Sequence, residues 1–183
     1  MSTATVRLIP MLCPKCQTPV GAHPEETAWV CATCGQGLIL DDATGLQPLE
    51  FHYAAGMPAN QPGRPFWIAT GTVRLGERKT YYANSEAVKE AAAMWAVPRR
   101  FFVPAFTLPL EQSLELGTRL LVQPPSLELG SPAAFTPVTV RPEDMRPLVE
   151  FIVLGLEAGR KDKLMSVEFG LDLETPELWI LPA

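Results

Sequence analysis

Four cysteines, the full complement of the chain, stand as Cys13-Pro14-Lys15-Cys16 and Cys31-Ala32-Thr33-Cys34, two CxxC pairs separated by 14 residues. Two residues between cysteines let a tight turn aim both sulfurs at one point while its backbone amides hydrogen-bond the thiolates. Two such turns complete a tetrahedral four-sulfur site, with metal–sulfur bonds of about 2.3 Å for zinc. One structural Zn2+ is the expected cofactor, ahead of iron, because nothing else in the chain points to electron transfer. Three other chemistries use the same residue type. Two disulfides need an oxidising compartment. A thioredoxin-like redox pair uses one CxxC at a helix start, whereas Pro14 and Gly35-Gln36-Gly37 speak for turns. A catalytic zinc keeps one position open for water, typically with histidine among three protein ligands, and four cysteines close the shell. The expectation is a closed, structural site on Cys13, Cys16, Cys31 and Cys34.

At these residues the chain resembles the zinc ribbon family, in which two CxxC knuckles at the tips of β-hairpins hold one zinc. The resemblance covers about residues 5–50. Cys13, Cys16, Cys31 and Cys34 match the ligand positions, Pro14 the frequent CPxC form, and Gly35 the glycine that often follows the second knuckle. Gln17 departs from the family, standing where a glycine is common. The resemblance implies a fold and a metal but no single activity, since zinc ribbons occur in transcription factors, polymerase subunits, ribosomal proteins, enzymes and adaptors.

The elements that must position the knuckles read as strands. Val6–Leu12 is expected to enter the first, Thr27–Val30 the second, and Gly37–Leu40 with Leu46–Tyr53 to form a hairpin around the turn 41–45. So small a sheet needs its metal. We place a zinc-ribbon domain at 1–53, a proline- and glycine-rich linker or loop at 54–65, and a mixed α+β domain at 66–183. Within the last, Phe66–Arg74 reads as a strand and Gly76-Glu77 as a turn into a second strand ending at Tyr82. Asn84 or Ser85 caps a helix over Glu86–Ala96 with Val88, Ala92 and Trp95 on one face. Arg99–Leu108 is expected to be extended, Leu110–Leu116 a short helix, and Leu120–Pro137 mostly irregular. A helix follows from Pro142 to about Glu157, its apolar stripe being Met145, Leu148, Val149, Ile152, Val153 and Leu156. Leu164–Leu173 and Leu178–Leu181 complete a terminal β-hairpin. The fold class is α+β.

The 183 residues include 47% apolar and 19% charged side chains, enough for a core, and 19 prolines that break up the elements. The net charge of −5 argues against a protein that grips nucleic acid with its whole surface. Only residues 49–110 are basic, with seven Lys and Arg against four Asp and Glu. Arg74, Arg78 and Lys79 there are the candidate phosphate contacts. The N-terminus shows no secretory leader and no apolar run reaches the roughly 20 residues of a membrane span, so a cytoplasmic protein is expected. His23 is read as a solvated loop residue or a neighbour of the metal ligands, and His52 as an outward-facing strand residue. HExxH, GxSxG and glycine-rich phosphate loops do not occur, so the reading leans away from an enzyme. It favours a non-enzymatic interaction module or accessory subunit with a protein partner. The alternatives are a nucleic-acid-associated protein and an enzyme with a structural zinc.

Overall fold

The computed structural model describes residues 9–182. Among them the chain is mixed α+β, with three α-helices and eight strands in two sheets. Strands β1 (Ala28–Val30), β2 (Gly37–Asp41) and β3 (Gly45–Pro48) form a small antiparallel sheet in that order. Asp41 makes the β2–β3 turn, its Oδ1 accepting from the N–H groups of Ala43 at 3.0 Å and Thr44 at 2.7 Å and from the Thr44 hydroxyl. The strand expected to begin at Val6 lies mostly outside the described residues, and within them Leu12 is bridged to Pro19.

The segment expected as one strand from Leu46 to Tyr53 divides. β3 ends at Pro48, and β4 (Phe51–Tyr53) joins the larger sheet, pairing parallel with β8 (Glu177–Leu181). That sheet is organised on β5 (Arg64–Thr80), a single strand of 17 residues. The turn expected at Gly76-Glu77 is instead a bulge: Leu75 faces Phe169 and Arg78 faces Val167, leaving one extra residue on β5. Residues 65–69 are buried in succession because this half of the strand is covered on both faces, which explains its unbroken apolar run Pro-Phe-Trp-Ile-Ala.

The terminal hairpin does not form. β7 (Leu164–Leu173) and β8 both pair antiparallel with β5, end to end along one of its edges. Leu173 faces Gly71, the Glu174 N–H donates to the Thr70 carbonyl at 2.9 Å, and Glu177 faces Ile68. Pro176, which has no N–H, interrupts this ladder without reversing it. β6 (Arg99–Pro104) takes the opposite edge, but only along Phe66–Gly71.

Helix α1 (Ser85–Trp95) starts at Asn84, whose side chain accepts from the N–H groups of Glu86 and Ala87 at 3.1 Å. It buries Ala87, Ala91 and Trp95, a face rotated one residue from the expected one, and Val88 and Ala92 stay exposed. Helix α2 (Leu110–Val122) runs six residues beyond the expected end. Gly117 is not a stop: a Cβ there would lie 2.5 Å from Ile152 Cδ1 and 3.0 Å from the Phe102 carbonyl. The missing side chain lets α2 close over the edge of β6. Of the stretch 120–137 expected to be mostly irregular, 120–122 belong to α2, and 123–137 contain no helix and only isolated bridges at Leu129 and Phe135. A 3-10 turn (Pro142–Asp144) leads into α3 (Met145–Ala158), which buries Met145, Val149, Ile152 and Val153 against Trp67, Phe101 and Leu178.

The stretch 54–65, expected as a linker or loop, carries no strand before Arg64 yet is fastened at both ends. Ala55 N–H donates to the Glu128 carbonyl at 2.7 Å and Gly63 N–H to the Ala134 carbonyl at 2.8 Å. The small sheet is also held to the body. Thr27 N–H donates to the Val138 carbonyl at 2.8 Å, Ala28 belongs to the main core, and Arg141 grips Asp42 through two hydrogen bonds of 2.6 and 3.0 Å.

Candidate metal centre

The two knuckles are near repeats of one another in backbone geometry. In the first, Gln17 N–H donates to the Cys13 carbonyl at 2.8 Å and Cys13 N–H to the Thr18 carbonyl at 3.0 Å; in the second, Gly35 N–H donates to the Cys31 carbonyl and Cys31 N–H to the Gln36 carbonyl, both at 2.8 Å. The residue four after each leading cysteine has a left-handed backbone, with φ of 59° at Gln17 and 72° at Gly35. Glycine adopts that conformation freely, whereas a side chain there costs about 1–2 kcal/mol. Gln17 offsets part of this by donating from Nε2 to the Pro14 carbonyl at 3.2 Å. The departure from glycine noted in the sequence therefore leaves the turn geometry intact.

The knuckles bring all four sulfurs together. Cys13 and Cys34 lie 3.6 Å apart, as do Cys16 and Cys31, and the four Sγ atoms are within 4.8 Å of one another. A disulfide requires about 2.05 Å, and all four thiols are free. Four sulfurs at the corners of a tetrahedron around an ion at about 2.3 Å sit about 3.8 Å apart. The four cysteines are thus close enough to hold a metal ion, and a donor set made only of sulfur suits a soft or borderline metal. Cys13 and Cys31 are buried against Trp29, Leu38 and Leu46, and Cys16 and Cys34 are half-buried.

Local donors prepare the sulfurs unequally. The Thr18 hydroxyl, 3.4 Å from Cys16, and then the Thr18 amide lower the Cys16 pKa to about 6. Amides of Cys34 and Thr33 lower Cys31. At Cys34 the Gln36 amide also works downward, but desolvation and the three neighbouring sulfurs push the thiol up to about 11.

Neither histidine joins the cluster. The His23 N–H donates to Glu26 Oε2 at 2.9 Å in the loop before β1, and the same carboxylate accepts from Trp29 Nε1 at 2.7 Å. The half-buried His52 ring stacks on Trp179 at 4.9 Å. The three candidate phosphate contacts also separate. Arg74 and Lys79 are exposed, each beside a carboxylate, Asp172 at 3.7 Å and Glu77 at 3.5 Å. The Arg78 side chain is only 10% exposed and points inward, so it is withdrawn from any phosphate.

Arg78 belongs to a buried ionic cluster that the sequence reading missed. Its Nε lies 3.0 Å from Glu157 Oε2 and its Nη1 2.9 Å from Asp162 Oδ2, and both carboxylates are fully buried. Glu157 Oε1 also accepts from Trp95 Nε1 at 2.9 Å and from Arg160 at 2.8 Å. The available signal was the position of Glu157, four residues after Val153 on the buried stripe of α3. Two exposed carboxylates, away from this cluster, are held below their usual range. Asp41 is stabilised by the Thr44 hydroxyl and the turn amides, and Asp42 by the Arg141 guanidinium. Compared with known proteins, the chain matches no family model, no curated protein and no solved structure.

Proposed function

We propose that residues 9–50 form a zinc ribbon whose Zn2+, held by Cys13, Cys16, Cys31 and Cys34, is structural, and that the chain works in the cytoplasm as an interaction module or accessory subunit of a larger assembly. Four sulfur ligands close a tetrahedral shell and leave no position for water or substrate, which supports a folding role for the metal. The observation that carries the interaction reading is the outer face of α3. Pro147, Phe151, Leu154, Gly155 and Ala158 follow one another at helical spacing and all are exposed, with Phe151 at 51% and Leu154 at 37%. A continuous apolar stripe on a helix already packed on its opposite side is the kind of surface that association covers. No helix among the described residues is long and apolar enough to cross a membrane.

The test is purification of the tagged full chain from its own host with and without nuclease, followed by mass spectrometry. Protein partners at stoichiometric amounts that survive nuclease, and are lost with Phe151→Asp, support the reading. Components that vanish on nuclease treatment favour nucleic-acid association instead. That rival rests on Arg74 and Lys79, since Arg78 is engaged inside the protein.

A further inference from the structure

β5 runs nine residues past Gly71, the last residue it pairs with β6. On one edge β7 and β8 accompany it almost throughout; on the other, β6 stops opposite Gly71. The direction of the unpaired backbone groups follows from two hydrogen bonds. The Pro65 carbonyl accepts from Ala105 on the β6 side, and the Thr70 carbonyl accepts from Glu174 on the β7–β8 side. In an extended strand the N–H and C=O of alternate residues point the same way. Odd-numbered residues therefore face β6, and beyond Gly71 the N–H and C=O groups of Val73 and Leu75 face the same way with no strand opposite them among the described residues.

What stands there is a cleft of about 670 Å3 between this free edge and α1. Its helical wall is Val88, Ala92 and Ala96, at i, i+4 and i+8, with Ala91 and Trp95 beneath. Val88 and Ala92 are the residues whose spacing suggested a buried face, and Val88 is 54% exposed. The cleft lining contains Arg74, exposed and 3.7 Å from the equally exposed Asp172 on β7, and no carboxylate of its own. An unpaired strand edge beside a shallow apolar helix wall is the geometry by which an extended peptide adds to a sheet, main-chain bonds giving affinity and alternate side chains specificity. The lining fixes the chemistry of the occupant: small apolar side chains against Val88, Ala92 and Ala96, and an acidic residue against Arg74.

We propose that the cleft between β5 and α1 receives an extended, acidic peptide segment of a partner protein, with small apolar residues at alternate positions, which continues the line of β6 along Val73 and Leu75. The inference rests on the interaction-module reading and names the class of partner. The probe is a displayed library of random octapeptides, selected on the metal-loaded full chain. Enriched peptides are expected to alternate Val, Thr or Ala with at least one Asp or Glu and to slow amide exchange at Val73 and Leu75. Arg74→Glu is expected to weaken them at least 10-fold. So are Ala92→Phe on α1 and Ala96→Phe at its C-cap, two exposed positions that fill the cleft from its wall; Glu111→Gln, an exposed change on α2, leaves them unchanged. No enrichment over the Ala92→Phe chain, or binding indifferent to both cleft variants, overturns the proposal. Self-association abolished by Ala92→Phe would assign the cleft to a second copy. Single-stranded DNA binding lost with Arg74→Glu but kept with Ala92→Phe would assign a phosphate surface, and each of these also overturns it. A host partner that still co-purifies with Ala92→Phe removes the cleft while leaving the interaction reading in place; absence of any protein partner removes that reading itself.

Discussion

The three-stranded sheet and the five-stranded body hold together by different means. In the small sheet a few buried side chains, chiefly Trp29, Leu38 and Leu46, gather around Cys13 and Cys31, too little apolar surface to order so short a segment. In the body, Trp67, Phe101, Met145, Val149, Ile152 and Leu178 are each at most 2% exposed and form one continuous core with the helices. The body nevertheless contains the more demanding polar arrangement. Arg78, Arg160, Glu157 and Asp162 have been taken out of water, and the attraction among them must repay that desolvation. On the reading proposed above, a metal held by the four sulfurs would be the main source of order in the small sheet; in the body the ionic cluster is tolerated by an order that the core supplies.

The largest expected effect breaks the small sheet alone. Cys31→Ser, or removal of the metal by a chelator, is expected to abolish the ordered amide signals of β1–β3 while residues 64–182 stay folded, as two-dimensional NMR would show. Simultaneous unfolding of both parts would mean that the contacts at Val138 and Arg141 make them one cooperative unit. The next effect belongs to the body. Arg78→Ala leaves Glu157 and Asp162 buried without their common cation, a loss of about 3–5 kcal/mol in denaturant unfolding. Replacing Arg78 and Asp162 together by Met and Leu is expected to cost much less, since no charge is then stranded at that end of the cluster.

Smaller changes sharpen the same contrast. Gly117→Ala sets a methyl group 3.0 Å from the Phe102 carbonyl, backbone that cannot yield as the tip of Ile152 can. A loss of about 1–3 kcal/mol is expected for the body, with metal retention unchanged. Gln17→Gly relieves the left-handed backbone of the first knuckle and should stabilise the metal-bound sheet by about 1 kcal/mol, read as slower metal loss to a competing chelator. Asp42→Asn loosens the attachment of the small sheet to Arg141, the smallest effect. Arg141 holds the Asp42 carboxyl below its usual range, so the native contribution is present above about pH 4 and is lost as pH falls through the depressed native value. Wild type and variant should therefore differ in thermal stability at pH 7 and converge in acid.

The chain's local features were legible because their causes are local. Asn84 caps α1 through its own side chain, Asp41 folds its own turn, and the stripe from Met145 to Val153 packs because one helix presents it on one side. Long-range pairing was not legible. Leu164–Leu173 and Leu178–Leu181 have the pattern of a hairpin, and nothing in that pattern reports that a single 17-residue strand elsewhere offers both of them an edge. Gly76-Glu77 reads as a turn, yet it became a bulge in one continuous strand, because what a glycine does is set by what packs against it.

The cysteine cluster shows how far one sequence reaches by itself. Two residues between cysteines determine a knuckle, and two knuckles close in sequence determine a cluster of four sulfurs, because the covalent chain restricts each turn to a few geometries. The role of Arg78 lay beyond that reach. It was decided by Asp162, 84 residues away, and by Glu157 at the end of a helix, groups that meet only because β5, β7 and α3 pack together. The cleft beside Val73 was likewise left by the tertiary structure, which turned α1 by one residue and ended the β5–β6 pairing at Gly71. Short-range covalent geometry settled the cluster of four sulfurs; the availability of every other charged or apolar side chain depended on which surfaces the folded core had room to cover.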